Sequence, residues 1–197
     1  MREGHVFVDS GRYEVNEMYW EVMEHPEAIE GVAKVEALRK IIGKDPDFFD
    51  PYIALYEHYL SIGDTESAAD ILNEGFTRAM ALVSKEGKFP DFMPWEALGN
   101  RHIIRMIYNF STLLWLVGRK GEAKELLQKL LKADPEDHIG ARFAIAAIDE
   151  GYESLYAFEM EFTNREAGVD PEAMEGWYRR RGERYQASVC NQAERRL

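Results

Sequence analysis

The chain has 197 residues, 46% of them hydrophobic and 30% charged, with a formal net charge of -12. That is enough apolar content for one domain with its own core, and so negative a field repels a phosphate backbone, which excludes nucleic acid as the expected partner. No apolar run reaches the length of a membrane span, MREGHVFVDSG carries no signal-peptide core, and the one cysteine, Cys190, has no internal partner, so a cytoplasmic protein without membrane contact is expected.

Along the chain, HVFVD near the start is the best strand signal, and it is short. Residues 1–12 read as an N-terminal extension. Helical periodicity begins at Tyr13 and runs to Glu24, before His25-Pro26. A second helix is expected from about Glu27 to Ile42, with Gly43 as its C-cap. After the turn segment DPDFFDP, Asp50 is the expected N-cap of a third helix that has Pro51 in its first turn and ends at Gly63. Asp64 or Thr65 opens a fourth, to about Ser84. Gly87, Pro90 and Pro94 then mark a longer connection. A fifth helix spans about Arg101 to Val117. Past the turn from Gly118 to Gly121, a sixth reaches Lys132 or Ala133. DPEDH is expected to start a seventh, to about Glu150. An eighth follows Gly151 and fades near Asn164, and a ninth starts at Asp170-Pro171.

One phrase is written twice. Tyr52, Leu55, Tyr56 and Tyr59, then Gly63, then Ala68 and Leu72 fill the places of the pattern W-x2-L-G-x2-Y followed by A-x3-F. In the second copy the same places hold Ile107, Phe110, Ser111 and Leu114, then Gly118, then Ala123 and Leu127, with Pro135 closing it. A small residue such as Ala68 or Ala123 lets two helices approach, and a helix pair that cannot bury both faces stacks on another pair. Weaker flanking copies carry Leu38 and Ile41 before Pro46, and Ala141, Ala144, Ile145 and Ile148 after Pro135. Residues 13–163 therefore resemble the tetratricopeptide repeat family. The resemblance implies an all-α, right-handed superhelix of stacked antiparallel helix pairs, with residues 164–197 as a capping helix and tail. The two glycine turns are 55 residues apart, from position 63 to position 118, against a standard repeat of about 34.

A narrower likeness lies in MPWEALGNRHIIRMIYNFSTLLWLVGRKGEAKELLQKLLKADPEDHIGAR. Trp95, Asn100, Arg101, Arg105, Pro135, Asp137, Gly140 and Arg142 stand where the suppressor-of-tumorigenicity-7 family and its bacterial relatives carry the same residues. Asp134 and His138 depart from the asparagines often found there. This likeness implies ancestry and brings no chemistry with it.

The tetratricopeptide resemblance implies a concave groove lined by the first helix of each pair. Its places fall at Asp50, Ile53, Glu57 and Leu60, then at Arg105, Tyr108, Thr112 and Trp115, then at Ile139, Arg142, Ala146 and Asp149. Ile53, Glu57, Arg105, Tyr108, Thr112, Trp115 and Arg142 are the candidate ligand-binding residues: an arginine can grip a carboxylate by two parallel bonds, and Tyr and Trp make flat anchors. The competing reading has Arg101, Arg105 and Arg142 pairing internally with Asp137 or Glu96, and Tyr108 and Trp115 covered by the last helix. The Lys and Asn set by which some family members clamp a C-terminal carboxylate is missing.

Catalytic signals are weak. His5, His25, His58, His102 and His138 form no metal-ligand spacing on one helix face, GRKGEAK lacks the P-loop spacing, and G-x-S-x-G is absent. No catalytic residue, metal or cofactor is expected. Acidic EVNEMYWEVMEHPEAIEG and basic WYRRRGERY invite a contact within one chain or between two copies, the latter through Arg179, Arg180 and Arg181. The expected function is a non-enzymatic scaffold module that binds a peptide or partner helix. The alternatives are a self-associating structural protein, as in a homodimer, and a helical domain that binds a small anion through Arg105, Tyr108 and Arg142.

Overall fold

Apolar side chains at helical spacing, acidic or proline residues at helix starts and glycines after helix ends divide this chain into helices joined by short turns. A computed structural model describes residues 6–7, 12–24, 31–84, 87–164 and 168–181. In chain order it contains α1 (Tyr13–Glu24), α2 (Gly31–Lys44), α3 (Asp50–Ser61), α4 (Thr65–Val83), α5 (Leu98–Leu116), α6 (Lys120–Ala133), α7 (Ala141–Asp149) and α8 (Leu155–Glu159). A 3-10 turn, Met160–Phe162, and a minimal antiparallel pair, β1 (Thr163–Asn164) with β2 (Gly168–Val169), lead into α9, helical over 171–181. The fold is all-α. Among the described residues no helix is long and apolar enough to cross a membrane.

From α1 to α7 each helix packs on the next, α3 also meets α5, and α8 lies on both α5 and α7. Packing of neighbour on neighbour is how a helical repeat buries its faces. The twice-written positions are all interior: Tyr52, Leu55, Tyr56 and Tyr59 on α3, and Ile107, Phe110, Ser111 and Leu114 on α5. Ala68 and Ala123 sit buried at the helix contacts, with Leu72 and Leu127 one turn on. Gly75 on α4 marks the tightest approach. A Cβ there would lie 2.6 Å from Met106 Cε and 3.0 Å from Tyr52 Cγ, so only hydrogen fits where α4 meets α3 and α5.

The glycine turns share one geometry. After α3, Gly63 donates to the Leu60 carbonyl and Asp64 N–H reaches back to that of Tyr59. After α5, Gly118 donates to Trp115 and Arg119 to Leu114. After α7, Gly151 donates to Ile148 and Tyr152 to Ala147. These paired bonds close a helix only when the residue after its last turn is left-handed, and all three glycines have positive φ. The third turn, at the Gly151 expected to precede the eighth helix, follows the second by 33 residues, from position 118 to position 151, close to the standard repeat of about 34. Asp64 then opens α4 as expected, its carboxylate accepting the Ser67 N–H at 3.1 Å.

Five expectations need correction. Gly43 is not a C-cap: it lies inside α2, without positive φ, and the helix continues to Lys44. Asp50 is the first residue of α3 rather than its N-cap, because its carboxylate is drawn to Arg105, and Phe49 occupies the cap position with no side-chain bond. Residues 134–140 are a loop and α7 starts only at Ala141. Asp137 adopts φ +59 and Gly140 φ +77, and the Asp137 carboxylate caps α7 by accepting from Ala141 N (2.6 Å) and Arg142 N (3.1 Å). Aspartates that bond the local backbone compete with helix in this way. The eighth helix stops at Glu159 and gives way to the 3-10 turn and the strand pair. Val6 and Phe7 are not in a strand; Phe7 N–H bonds Asn100 Oδ1, and the rest of HVFVD lies outside the described residues, as do 25–30 and Cys190.

Candidate functional site

α1, α3 and α5 leave a cleft of about 620 Å³ between them. α1 contributes Asn16, Tyr19, Trp20 and Met23, α3 contributes Asp50, Ile53, Ala54 and Glu57, and α5 contributes Leu98, Arg101, His102 and Arg105. On each helix these positions recur three or four residues apart, so each presents one stripe to the cleft. Trp20 and Leu98 stand at the rim, 57% and 67% exposed.

The floor is aromatic. Phe48 meets Tyr19 edge-on at 5.4 Å and His102 edge-on at 5.7 Å. His102 is buried, with Nδ1 accepting Phe49 N–H at 3.3 Å and Nε2 lying 2.7 Å from Arg12 Nη1. Arg12 is held in turn by Asp45, Nε to Oδ2 at 2.5 Å, with its guanidinium over the Phe48 ring. Burial pushes the Tyr19 hydroxyl well above the usual phenol range, helped by Asp50 and Glu57.

Three of the seven candidate binding residues line this cleft: Ile53, Glu57 and Arg105. Arg105 does not offer a free fork, because its Nε–Nη2 edge is engaged by Asp50, Nε to Oδ1 at 2.9 Å and Nη2 to Oδ2 at 2.5 Å. The loss of solvent around Glu57 raises its carboxyl above the ordinary range, while Lys34 pulls it back. Arg101 has a looser arrangement: Nε donates to the Trp95 carbonyl at 2.8 Å, and the guanidinium lies 5.3 Å above the Trp95 ring.

The other four lie elsewhere. Trp115 is fully buried and donates its indole N–H to Tyr152 O at 2.9 Å, so it is core and not a groove anchor. Arg142 is also not free. It reaches Asp137 at 3.5 Å and Glu175 at 3.0 Å and lies over the rings of Phe143 and Tyr178. Thr112 is half-buried and donates to the Asn109 carbonyl. Tyr108 is half-buried, and burial raises its hydroxyl, with Glu159 and Asp137 acting in the same direction. The reason for this split is the C-terminal segment. α9 seats Trp177 against Phe158 at 4.8 Å, and Tyr178 against Phe143 at 5.3 Å, closing over the α7–α8 end.

The internal pairing expected for the arginines is thus present for Arg142 with Asp137, but Arg105 chooses Asp50 and Arg101 a carbonyl. Asn100 ties in the same region, donating to Pro94 O and accepting from Phe7. Burial pushes the Asp137 carboxyl up to about 6, against the pull of its two backbone donors and of Arg142. Arg179 pairs with Glu175 and Arg181 with Glu150, while Glu14 of the acidic segment pairs with Lys44.

A second group of ionisable side chains, Glu96, Glu136 and His138, connects to the cleft through Arg101 and Trp95, since the Trp95 ring stacks on His138. Helical spacing gives no hint of it, because its members come from two loops. No family model matches the chain, and neither does any curated protein or solved structure.

Proposed function

We propose that this protein is a non-enzymatic, tetratricopeptide-like interaction module that holds a peptide or a partner helix in the α1/α3/α5 cleft. In this reading α1–α2, α3–α4, α5–α6 and α7–α8 are the repeating pairs of a right-handed superhelix. The supporting observation is that the helices lining the cleft are α1, α3 and α5, the first members of their pairs, with Trp20 and Leu98 at its rim. The sharing of glycine turns among three pairs supports it too.

The contacts suit an apolar anchor with a polar flank. Met23, Ile53 and Ala54 offer an apolar wall, and Trp20 offers a large flat surface at the rim. Arg101 has no carboxylate partner among the described residues and is the cation available to an acidic group on the ligand. The far end of the groove is filled by α8 and α9, so a ligand is confined to the N-terminal half. Small-anion binding through Arg105, Tyr108 and Arg142 finds no support, because both arginines already hold carboxylates.

Peptide-display selection on the wild type and on a Trp20→Ala, Glu57→Lys variant tests this. Both side chains are exposed, so circular dichroism should be unchanged. Peptides enriched on the wild type should lose at least tenfold in affinity on the variant. Equal binding to both proteins, or no enrichment at all, refutes the cleft as a receptor.

A further inference from the structure

Beyond the cleft, we propose that His138 Nε2 with the carboxylates of Glu96 and Glu136 forms a binding site for a divalent transition-metal ion of the zinc type.

The donor atoms of the three side chains all lie within 4.8 Å of one another. His138 Nε2 is 3.5 Å from Glu136 Oε2. Two donors about 2.1 Å from a shared tetrahedral ion stand about 3.4 Å apart, so this edge is already at the right length. An imidazole nitrogen with two carboxylate oxygens is a donor set for zinc and its neighbours, whereas magnesium prefers oxygen alone.

The imidazole is prepared for this role from behind. Asp134 is only 4% exposed, and its two oxygens lie 3.0 and 3.2 Å from His138 Nδ1. In the tautomer that donates Nδ1–H to that carboxylate, the Nε2 lone pair is on the side of Glu136, 3.5 Å away. A metal-ligating histidine nearly always has such a carboxylate or carbonyl behind it. The ring cannot swing freely, because Trp95 stacks on it with centroids 5.5 Å apart and planes within 4°. Trp95 is itself fixed by Arg101, which takes its carbonyl. Two residues earlier, Met93 N–H bonds Ala133 O at 2.8 Å, pinning the loop that carries Glu96 to the end of α6.

Electrostatics agree with the geometry. Among the described residues neither glutamate pairs with a Lys or Arg, so the His138 ring is the one group set between the two carboxylates that can offset them. The adjacent C-terminal end of α6 adds further negative potential. A divalent cation would relieve this repulsion and clip the loop before α5 to the loop after α6. Three protein donors leave a fourth position for water.

The full chain is titrated with zinc chloride, and in parallel with magnesium chloride, following Trp fluorescence and the thermal midpoint. Zinc should change the fluorescence saturably and raise the midpoint, as any ligand selective for the native state does. A Trp95→Phe variant should keep the midpoint shift and lose most of the fluorescence change. Glu96→Gln with Glu136→Gln, and separately His138→Gln, should each need at least tenfold more zinc. The proposal fails if zinc moves neither signal, if the variants respond at the wild-type zinc concentration, or if magnesium acts equally well, which would mark simple charge screening.

Discussion

Adding one methyl group at Gly75 and the same methyl at Gly43 should move stability in opposite directions. Neither glycine has positive φ; Gly75 lies in the interior of α4 and Gly43 in the last turn of α2, so alanine gains about 1 kcal/mol of helix propensity at the first and about 0.5–1 kcal/mol at the second. At Gly43 nothing lies within 4 Å of the new carbon, and the gain is kept. At Gly75 the carbon meets Met106 Cε at 2.6 Å and Tyr52 Cγ and Cβ at 3.0 and 3.1 Å. The Met106 methyl can turn aside, but the root of the Tyr52 ring cannot: the residue is fully buried and its hydroxyl is tied to the Pro46 carbonyl. Overpacking of this kind costs about 1–3 kcal/mol, the upper part of which applies where backbone-proximal atoms must shift. The net expectation is a gain of about 0.5–1 kcal/mol for Gly43→Ala and a loss of about 1–2 kcal/mol for Gly75→Ala. In a chain of this size that is a rise of roughly 1–4 °C against a fall of roughly 2–8 °C. Urea denaturation, with unchanged m-values, reads both midpoints. Stabilisation by Gly75→Ala would refute the close approach of α4 to α3 and α5. A loss at Gly43→Ala would restore it as a left-handed cap.

Asp137→Ala removes the cap of α7, places alanine at a left-handed position and deprives Arg142 of one partner, for a loss of about 2–4 kcal/mol in thermal denaturation. Asp137→Asn tolerates that backbone and keeps an acceptor oxygen, so it should lose less than half as much. Glu175 gives the docking of α9 one pH-dependent tie. Hydrogen bonding from Arg142 holds its carboxyl below the ordinary range, so its contribution is complete above the unfolded value of about 4.3 and is lost as pH falls through the lower folded value. Fluorescence of the buried Trp177 should report loosening below about pH 4, and Arg142→Met should abolish that step; the same acid transition in the variant would exclude the pair as its cause.

The boundaries legible in sequence were those set by local chemistry. Gly63 and Gly118 stop helices, and Asp64 starts one, through atoms within six residues of each other. Ala68 and Ala123 were legible as contact points because a small residue in a fixed register has one evident use. What sequence could not show was decided by distant partners. Asp50 leaves its capping role for an arginine 55 residues away, and Trp115 becomes core because a carbonyl 37 residues on accepts its N–H. Arg142 is claimed by Glu175 of the expected capping helix, a partner 33 residues on that no spacing rule picks out. The cleft itself was half legible: the stripe on α3 and α5 follows from the repeat register, but the wall from α1 does not. Glu96 and His138 belong to separate loops, so no spacing rule joins them.

The N-terminal latch has a consequence for how the protein is made. Phe7 reaches Asn100 across 93 residues and Arg12 reaches His102 across 90, whereas most helix contacts are between neighbours in sequence. At about 5–20 residues per second of synthesis, these partners follow only after roughly 5–20 s. The α3–α4 pair can close in that interval, while the wall of the cleft that carries Trp20 must wait for α5. On the ribosome, α1 is made well before α5 and is locked in place only after it.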